Sequence, residues 1–578
     1  MVDFSVWAPK AEKVDVLVNE KRYPMSPGQG GWWTVNLPQV SAGQDYAFSV
    51  DGSKPLPDPR SPWQPEGPEG PSRILDHGAF QWTDQSWQAR PLGSAIIYEL
   101  HVGTFTPTGT FDAVIDKLPY LVDLGITHIE LMPVAEFEGH RGWGYDGVNL
   151  FAPHHAYGGP EGLKRLVNAC HAHGLAVILD VVYNHLGPSG NCLPQFGPYF
   201  TEHHHTLWGA AVNFDDQDSV EVRDYFCSNA LMWLRDYHFD GLRLDAIHAY
   251  ADDSAIHFLE QVSRAVDDLE TSLGRHLVLI AESDLNNPRV IQPYAAGGYG
   301  MDAQWSDDFH HALHRTITGE KDGYYTDFNG LPDLVRALCH GFVYDGRYSV
   351  NRRRVHGRPG LGLDGRGLLG YIQNHDQIGN RAQGERISHL AGINLARVAA
   401  ALVLTSPFVP MIFQGEEWGA STPFLYFTDY QDSELGRAVS QGRQREFTPF
   451  GWDPEEVPDP QDPETFRKSQ LSWDEPDHEP HASIHEWYRQ LIRLRRQIPD
   501  LAAGPLDHVS ARADESGRGL IIHRGSVTIL ANFSDRPQTF DVPPDQAMDL
   551  LLSSSPETLF KNGSVQLAPE SAAILRGK

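Results

Sequence analysis

From about Ala95 the chain alternates two textures. Short, nearly continuous apolar runs (AIIYELHV, THIELMPV, LAVILDVV, FDGLRLDA, LVLIAESD, LLGYIQNHD and FVPMIFQG) are separated by longer stretches with helical apolar spacing, such as FDAVIDKLPYLVDLG, GPEGLKRLVNACHAHG and VEVRDYFCSNALMWLRDYH. Runs apolar on successive residues mark strands buried on both faces, and strands alternating with helices build a parallel sheet. The pattern predicts an α/β fold in which about eight such units over residues 91–500 form a (β/α)8 TIM barrel, lengthened by loop insertions beyond the usual ~250 residues. A doubly wound open sheet is the alternative.

The flanks read differently. Residues 1–90 hold short alternating runs, FSVWAP, KVDVLV, GWWTVNL and DYAFSVD, broken by Gly, Pro, Asn and Asp. That is the pattern of a small antiparallel β-sandwich. The passage KPLPDPRSPWQPEGPEGP then acts as a stiff connector, because proline cannot donate to a ladder. IHEWYRQLIRLRRQ, 484–497, is the last predicted helix. Short strands return over 501–578, in GLIIHRG, SVTILANFS, QTFDVP, MDLLLSSS and SVQLAPESAAILRG, and predict a second sandwich. The acidic, Pro-rich stretch 453–466 is expected to be an exposed loop.

Charge and cysteine narrow the function. With 76 acidic against 46 basic side chains the net charge is −30, the wrong sign for nucleic acid. Four cysteines, Cys170, Cys192, Cys227 and Cys339, include no CxxC pair, so neither a disulfide framework nor a zinc site of usual spacing is expected. No secretion signal opens the chain, and no segment approaches about 18 consecutive apolar residues. A cytoplasmic protein, monomeric and without a membrane partner, is the expectation.

The chemistry concentrates where apolar runs end. Asp180, Asp245, Glu282 and Asp376 each follow such a run, and in a barrel those ends converge on the rim that carries the active site. One such acid alone reads equally well as a cap of the following helix; four together point to chemistry. Strand residues two apart face the same way, so Arg243 sits beside Asp245 and favours its ionised form. Glu282 has no basic neighbour within two positions, and apolar surroundings would raise its pKa. Two acids tuned apart suit glycoside cleavage, one attacking the anomeric carbon and the other protonating the leaving oxygen. The plainer alternative is an Arg243–Asp245 ion pair without a catalytic role.

Histidines flank the same ends: His101, His185, His248 and His375. Sugar hydroxyls are their expected partners in preference to metal, since HEXXH is absent. The EHHHTLW stretch, Glu202 to Trp208, is expected to be a solvated loop. Gly360, Gly362 and Gly365 spell GxGxxG, yet no apolar strand precedes them and Pro359 abuts the first glycine, so dinucleotide binding fails on context. Arg352, Arg353 and Arg354 read as a loop salt-bridge cluster. Tyr145, in RGWGYDGVN after the second strand, is the best candidate to stack on a sugar.

DVVYNH, GLRLDAIH, IAESD and QNHDQIGNR resemble, in order and spacing, the four sequence regions of the α-amylase family of glycoside hydrolases, and the match spans the whole barrel. The first sandwich resembles the glycogen-binding-like module of branching and debranching members. The second resembles the family's carboxy-terminal domain. QNHDQIGNR, AESDLNNPR, DAQWSDDFHHALH and IFQGEEWGASTPFLYFTDY are most similar to members that release trehalose from maltooligosyltrehalose. The resemblance implies Asp245 as nucleophile, Glu282 as general acid and base, and Asp376 as the acid gripping the distorted sugar. It implies that Arg243 orients Asp245, that Tyr145, His185 and His375 line the attacked glucose, and that His248 lies near the cleavage point. Asp180 and Asn184 would mainly hold their loop. Retention follows, with the reacting carboxyls roughly 5 to 5.5 Å apart. Calcium is common in family amylases, but no clear ligand set stands out, and neither a metal nor another cofactor is expected. Trp208, Trp305 and Arg381 are candidates for leaving-group contacts. A glucan branching transferase and a catalytically silent glucan-binding barrel are the rival readings.

Overall fold

The computed structural model describes residues 2–447, 453–541, 548–561 and 563–577. Eight parallel strands close into a barrel: β1 Ile97–Leu100, β2 His128–Leu131, β3 Ala176–Val181, β4 Gly241–Leu244, β5 Val278–Ala281, β6 Ala303–Trp305, β7 Leu368–Gly370 and β8 Val409–Phe413. Each pairs with its chain neighbours, and β8 returns to β1. Seven are the predicted runs. The eighth, β6, has only three residues, AQW, with a glutamine in the middle, too brief and too polar to register as an apolar run.

The longer helices include α1 Gly159–Ala172, α2 Ser219–Asp236, α3 Phe258–Leu273, α4 Asp307–Thr318, α5 Leu331–His340, α6 Ile387–Thr405 and α7 His481–Gln497. Helix α6 is apolar and long enough to cross a membrane by composition alone. Here it packs against α4, α7 and the carboxy-terminal sheet, and its helical course is broken at Gly392. It is a core helix of the barrel.

Alternate residues of each barrel strand face inward, and their polarity changes along the strand. Ile97, Ile178, Ile280, Ala303, Leu369 and Met411 fill a dry floor near the amino ends, with Trp305 and Tyr371 in the same cluster. One step further on, the inward positions are Glu99, Glu130, Asp180 and Arg243, all almost wholly buried. Register places Glu99 opposite Glu130 and Asp180 opposite Arg243. A hydrophobic floor under a ring of ionisable groups is what directs the chemistry to the carboxyl rim.

The amino-terminal sandwich pairs a three-stranded with a four-stranded sheet, and the carboxy-terminal one a five-stranded with a three-stranded sheet. The first lies directly on the barrel. Trp7 meets Tyr199 edge to face at 5.4 Å, the Trp32 indole donates to Glu221 at 3.1 Å, and Arg60 pairs with Asp224 at 2.9 Å. The second is tied through the buried Arg524 of its own sheet, beside a second buried arginine, Arg495 of α7. Arg495 donates to the carbonyls of Leu404, Ser406 and Phe408, and Arg524 to those of Thr405 and Ser406. Both satisfy carbonyls left open where α6 ends.

Two loop expectations are corrected. The histidine run lies in a β-hairpin, Phe200–Thr206 with Gly209–Val212, where His204 reaches Asp215 at 3.0 Å. Within 453–466, a short helix starts at Pro463, and it anchors the segment by burying Thr465 and packing Phe466 on Phe427 at 5.1 Å.

Candidate active site

One guanidinium organises the rim. Arg243, fully buried in β4, donates from Nη1 to Asp180 Oδ2 at 2.6 Å and to Asp245 Oδ1 at 3.0 Å, while Nη2 lies 2.9 Å from Glu282 Oε2. The Trp305 ring sits 4.1 Å beneath it, a cation–π seat in a dry floor. Asp245 is held on its other oxygen by the Asn184 amide at 3.1 Å. The chain turns sharply just after it, where Ala246 adopts φ 41, and this turns the Ala246 N–H onto Glu282 Oε2 at 2.8 Å. Strands β4 and β5 thus lock their terminal acids to one another through a backbone amide and a shared arginine.

The environments separate the acids. Burial and the charge of Asp245 raise Glu282 above the usual carboxyl range, against the pull of Arg243. The expectation of a purely apolar surrounding for Glu282 is therefore corrected: Arg243 touches it, and burial outweighs the contact. Burial, opposed by Arg243 and reinforced by Asp245, lifts Asp180 to about 7. Asp180 and Asn184 do more than hold a loop. Asp180 bridges Arg243 and the Tyr145 hydroxyl, the latter at 2.6 Å, and Asn184 contacts Asp245 directly.

Asp376 closes the far side. The Asn374 side chain caps the short helix His375–Gly379 that carries it, and Asn380 donates to its Oδ1 at 3.0 Å. Burial and the charge of Glu282 raise Asp376, against the pull of His375. His375 Nδ1 is bonded to Glu99, whose other oxygen takes the His375 N–H at 3.0 Å. Burial works against a charged imidazole, but Glu99 outweighs it and raises His375 to about 9. The Tyr145 ring stacks on His375 at 5.0 Å, and His185, bonded to Asn184 at 3.0 Å, stacks on Trp208 at 4.7 Å. His248 is exposed on the turn after β4.

Several candidates fall elsewhere. Trp305 lies inside the barrel, 1% exposed, and is out of reach of any leaving group. The Arg381 guanidinium is occupied by Glu320, at 2.8 and 3.0 Å. His101 is buried against Gly142 and Thr104, a structural role. Arg352 pairs with Asp284 at 2.6 Å, so the arginine cluster reaches the rim through that one member. Three residues escaped the sequence reading: Glu99, Glu130 and Asp307. The first two sit inside apolar runs. Glu130 has no hydrogen-bond partner on either oxygen, and burial together with Glu99 raises its pKa strongly. An acid at an inward strand position one step below the rim was the signal available.

Among the described residues, two groups bring metal-type ligands together, Glu136 with His154 and His155, and His204 with Asp215 and Asp253. In the first, Glu136 Oε1 already meets both imidazoles, at 3.2 and 2.7 Å. No rim acid belongs to either group.

A closed (β/α)8 barrel whose carboxyl rim gathers three acids around a buried arginine defines a glycoside-hydrolase barrel of the α-amylase type. The family description "Alpha amylase, catalytic domain" matches residues 79–196, "Carbohydrate-binding module 48 (Isoamylase N-terminal domain)" matches 1–64, and a domain of unknown function matches 506–574. Malto-oligosyltrehalose trehalohydrolase of Rhizobium sp. (strain M-11) is 50% identical over 99% of this chain and 97% of its own. That of Arthrobacter ramosus is 50% identical over 93% and 94%. The crystal structure of a Salmonella typhimurium protein superposes with TM-score 0.91 at 38% identity, covering 99% of this chain and 97% of its own. The chain belongs to the malto-oligosyltrehalose trehalohydrolase family.

Proposed function

We propose that this protein hydrolyses the α-1,4 bond joining a maltooligosaccharide to a terminal trehalose, with retention at the cleaved carbon and release of trehalose. The single observation that carries the chemistry is the Arg243 bridge, which holds Asp245 and Glu282 within the span of one guanidinium. Asp245, tied by Arg243 and Asn184, attacks the anomeric carbon. Glu282, raised by burial, gives its proton to the departing oxygen, and the C–O bond to the leaving sugar breaks as the Asp245 ester forms. Glu282 then takes a proton from the water that opens the ester, which restores both acids. Asp376, opposite, grips the hydroxyls of the distorted glucose, while Tyr145, His185 and charged His375 line that ring. The near full-length likeness to malto-oligosyltrehalose trehalohydrolases supports trehalose as the leaving group.

Product analysis tests this reading. Maltotriosyltrehalose should yield trehalose and maltotriose, initially as the α-anomer, with plain maltooligosaccharides cut far more slowly. Preferential conversion of starch to maltose, or new α-1,6 links in amylose, would reject it.

A further inference from the structure

Beside Glu282 the rim carries a carboxyl that the mechanism does not use. Asp307 opens α4 immediately beyond the short strand β6. The buried Tyr371 hydroxyl donates to its Oδ1, and Tyr371 is itself fixed by Trp305, edge to face at 5.5 Å, and by His310, stacked at 5.6 Å. Asp307 is only partly buried, and its Oδ2 takes no hydrogen bond from any described residue. Burial, with the charges of Glu282, Asp284 and Asp376, raises its pKa to about 7 against the pull of Tyr371, which places it in electrostatic contact with the same opening.

The side on which it stands matters. Tyr145 and His185 from the β2 and β3 side, and His375 and Asp376 from beyond β7, surround the ring that Asp245 attacks, which leaves the arc of β5 and β6 for the leaving group. The leaving sugar must lie where Glu282 can reach the glycosidic oxygen, and beyond Glu282, away from β3, come Asp284 and then Asp307. We propose that Asp307 binds hydroxyls of the leaving-group sugar: its Oδ1 is pinned by Tyr371 and its free Oδ2 faces the α-glucoside being expelled. A polar group that is rigidly held and otherwise unmatched is how a site rewards a substrate hydroxyl and penalises its absence. This inference rests on the reading of Glu282 as the acid.

The test compares two substrates with the same minus-side sugar, maltotriosyltrehalose and α-maltotriosyl fluoride, the second having no leaving sugar to bind. Asp307→Ala should lower kcat/KM for the trehaloside by about tenfold or more and leave the fluoride within about twofold, with trehalose inhibition weakened in parallel. Equal losses on both substrates, or no loss on the trehaloside, would overturn the proposal. If Asp307→Ala does not fold, as judged by its thermal melt, Asp307→Asn carries the same comparison. Should the wild-type protein release no trehalose, the proposed function fails, and maltohexaose against the fluoride still decides the role of Asp307.

Discussion

At the scale of single residues, the site is a set of acids whose charge is apportioned by one buried arginine. Asp245→Ala removes the proposed nucleophile while Asp180 and Glu282 keep Arg243 paired. Turnover of maltotriosyltrehalose should fall by more than about a thousandfold, and the melting temperature should move by only a few degrees. Activity within tenfold of wild type would remove Asp245 from the mechanism. His375 makes a pH prediction. Its folded pKa of about 9 lies above the unfolded value near 6.5, so the stabilisation is complete below pH 6.5 and is lost as pH rises through 9. The loss is on the order of 3 kcal/mol, read as a denaturant midpoint that falls between pH 6 and pH 9.5. His375→Gln should flatten that slope; an unchanged slope would place the titration elsewhere.

At the scale of elements, legibility followed strand length and polarity. Asp245, Glu282 and Asp376 were readable because each ends an apolar run long enough to be recognised, and Arg243 because a period of two sets it beside Asp245. β6 was hidden by its three residues, and with it went Asp307 and the true place of Trp305. Glu99 and Glu130 were hidden for the opposite reason: they interrupt runs so apolar that they pass as strand interior. Trp305 is also the largest side chain of the dry floor on β6. Trp305→Ala should cost about 3 to 5 kcal/mol in urea unfolding and lower kcat as well, because the cavity opens directly under Arg243. A stable variant with full activity would show that the floor does not set the arginine. The loop that presents Tyr145 has its own constraint. Gly144 adopts φ +99, and a Cβ there would lie 2.1 Å from the Pro133 carbonyl. Gly144→Ala should therefore raise KM by about tenfold or more as Tyr145 swings away, with circular dichroism unchanged; an unaffected KM would count against Tyr145 as a wall of the site.

At the scale of the molecule, the amino-terminal sandwich is more a buttress than a free binding module. Trp7 and Trp32, the kind of aromatic side chains such a module turns towards sugars, are spent on Tyr199 and Glu221 of the barrel, and Tyr225 donates to the Pro59 carbonyl at 2.9 Å. A chain starting at residue 89 should be expressed mainly as aggregate, because Phe151, Tyr199 and Tyr225 lose their cover, whereas the isolated sandwich should not be retained on immobilised amylose. A soluble, active truncation would make the module dispensable.

The guanidinium shared between β4 and β5 has one more effect, which unfolds in time. While Asp245 is anionic, its field makes Glu282 reluctant to ionise, as an acid catalyst requires. In the proposed reaction that field vanishes once Asp245 is esterified to the sugar; Arg243, still paired with Asp180, then acts on Glu282 without opposition from Asp245, and the proton affinity of Glu282 drops. The same side chain is thereby suited to act as a base at the step that calls for one, and formation of the ester itself throws the switch.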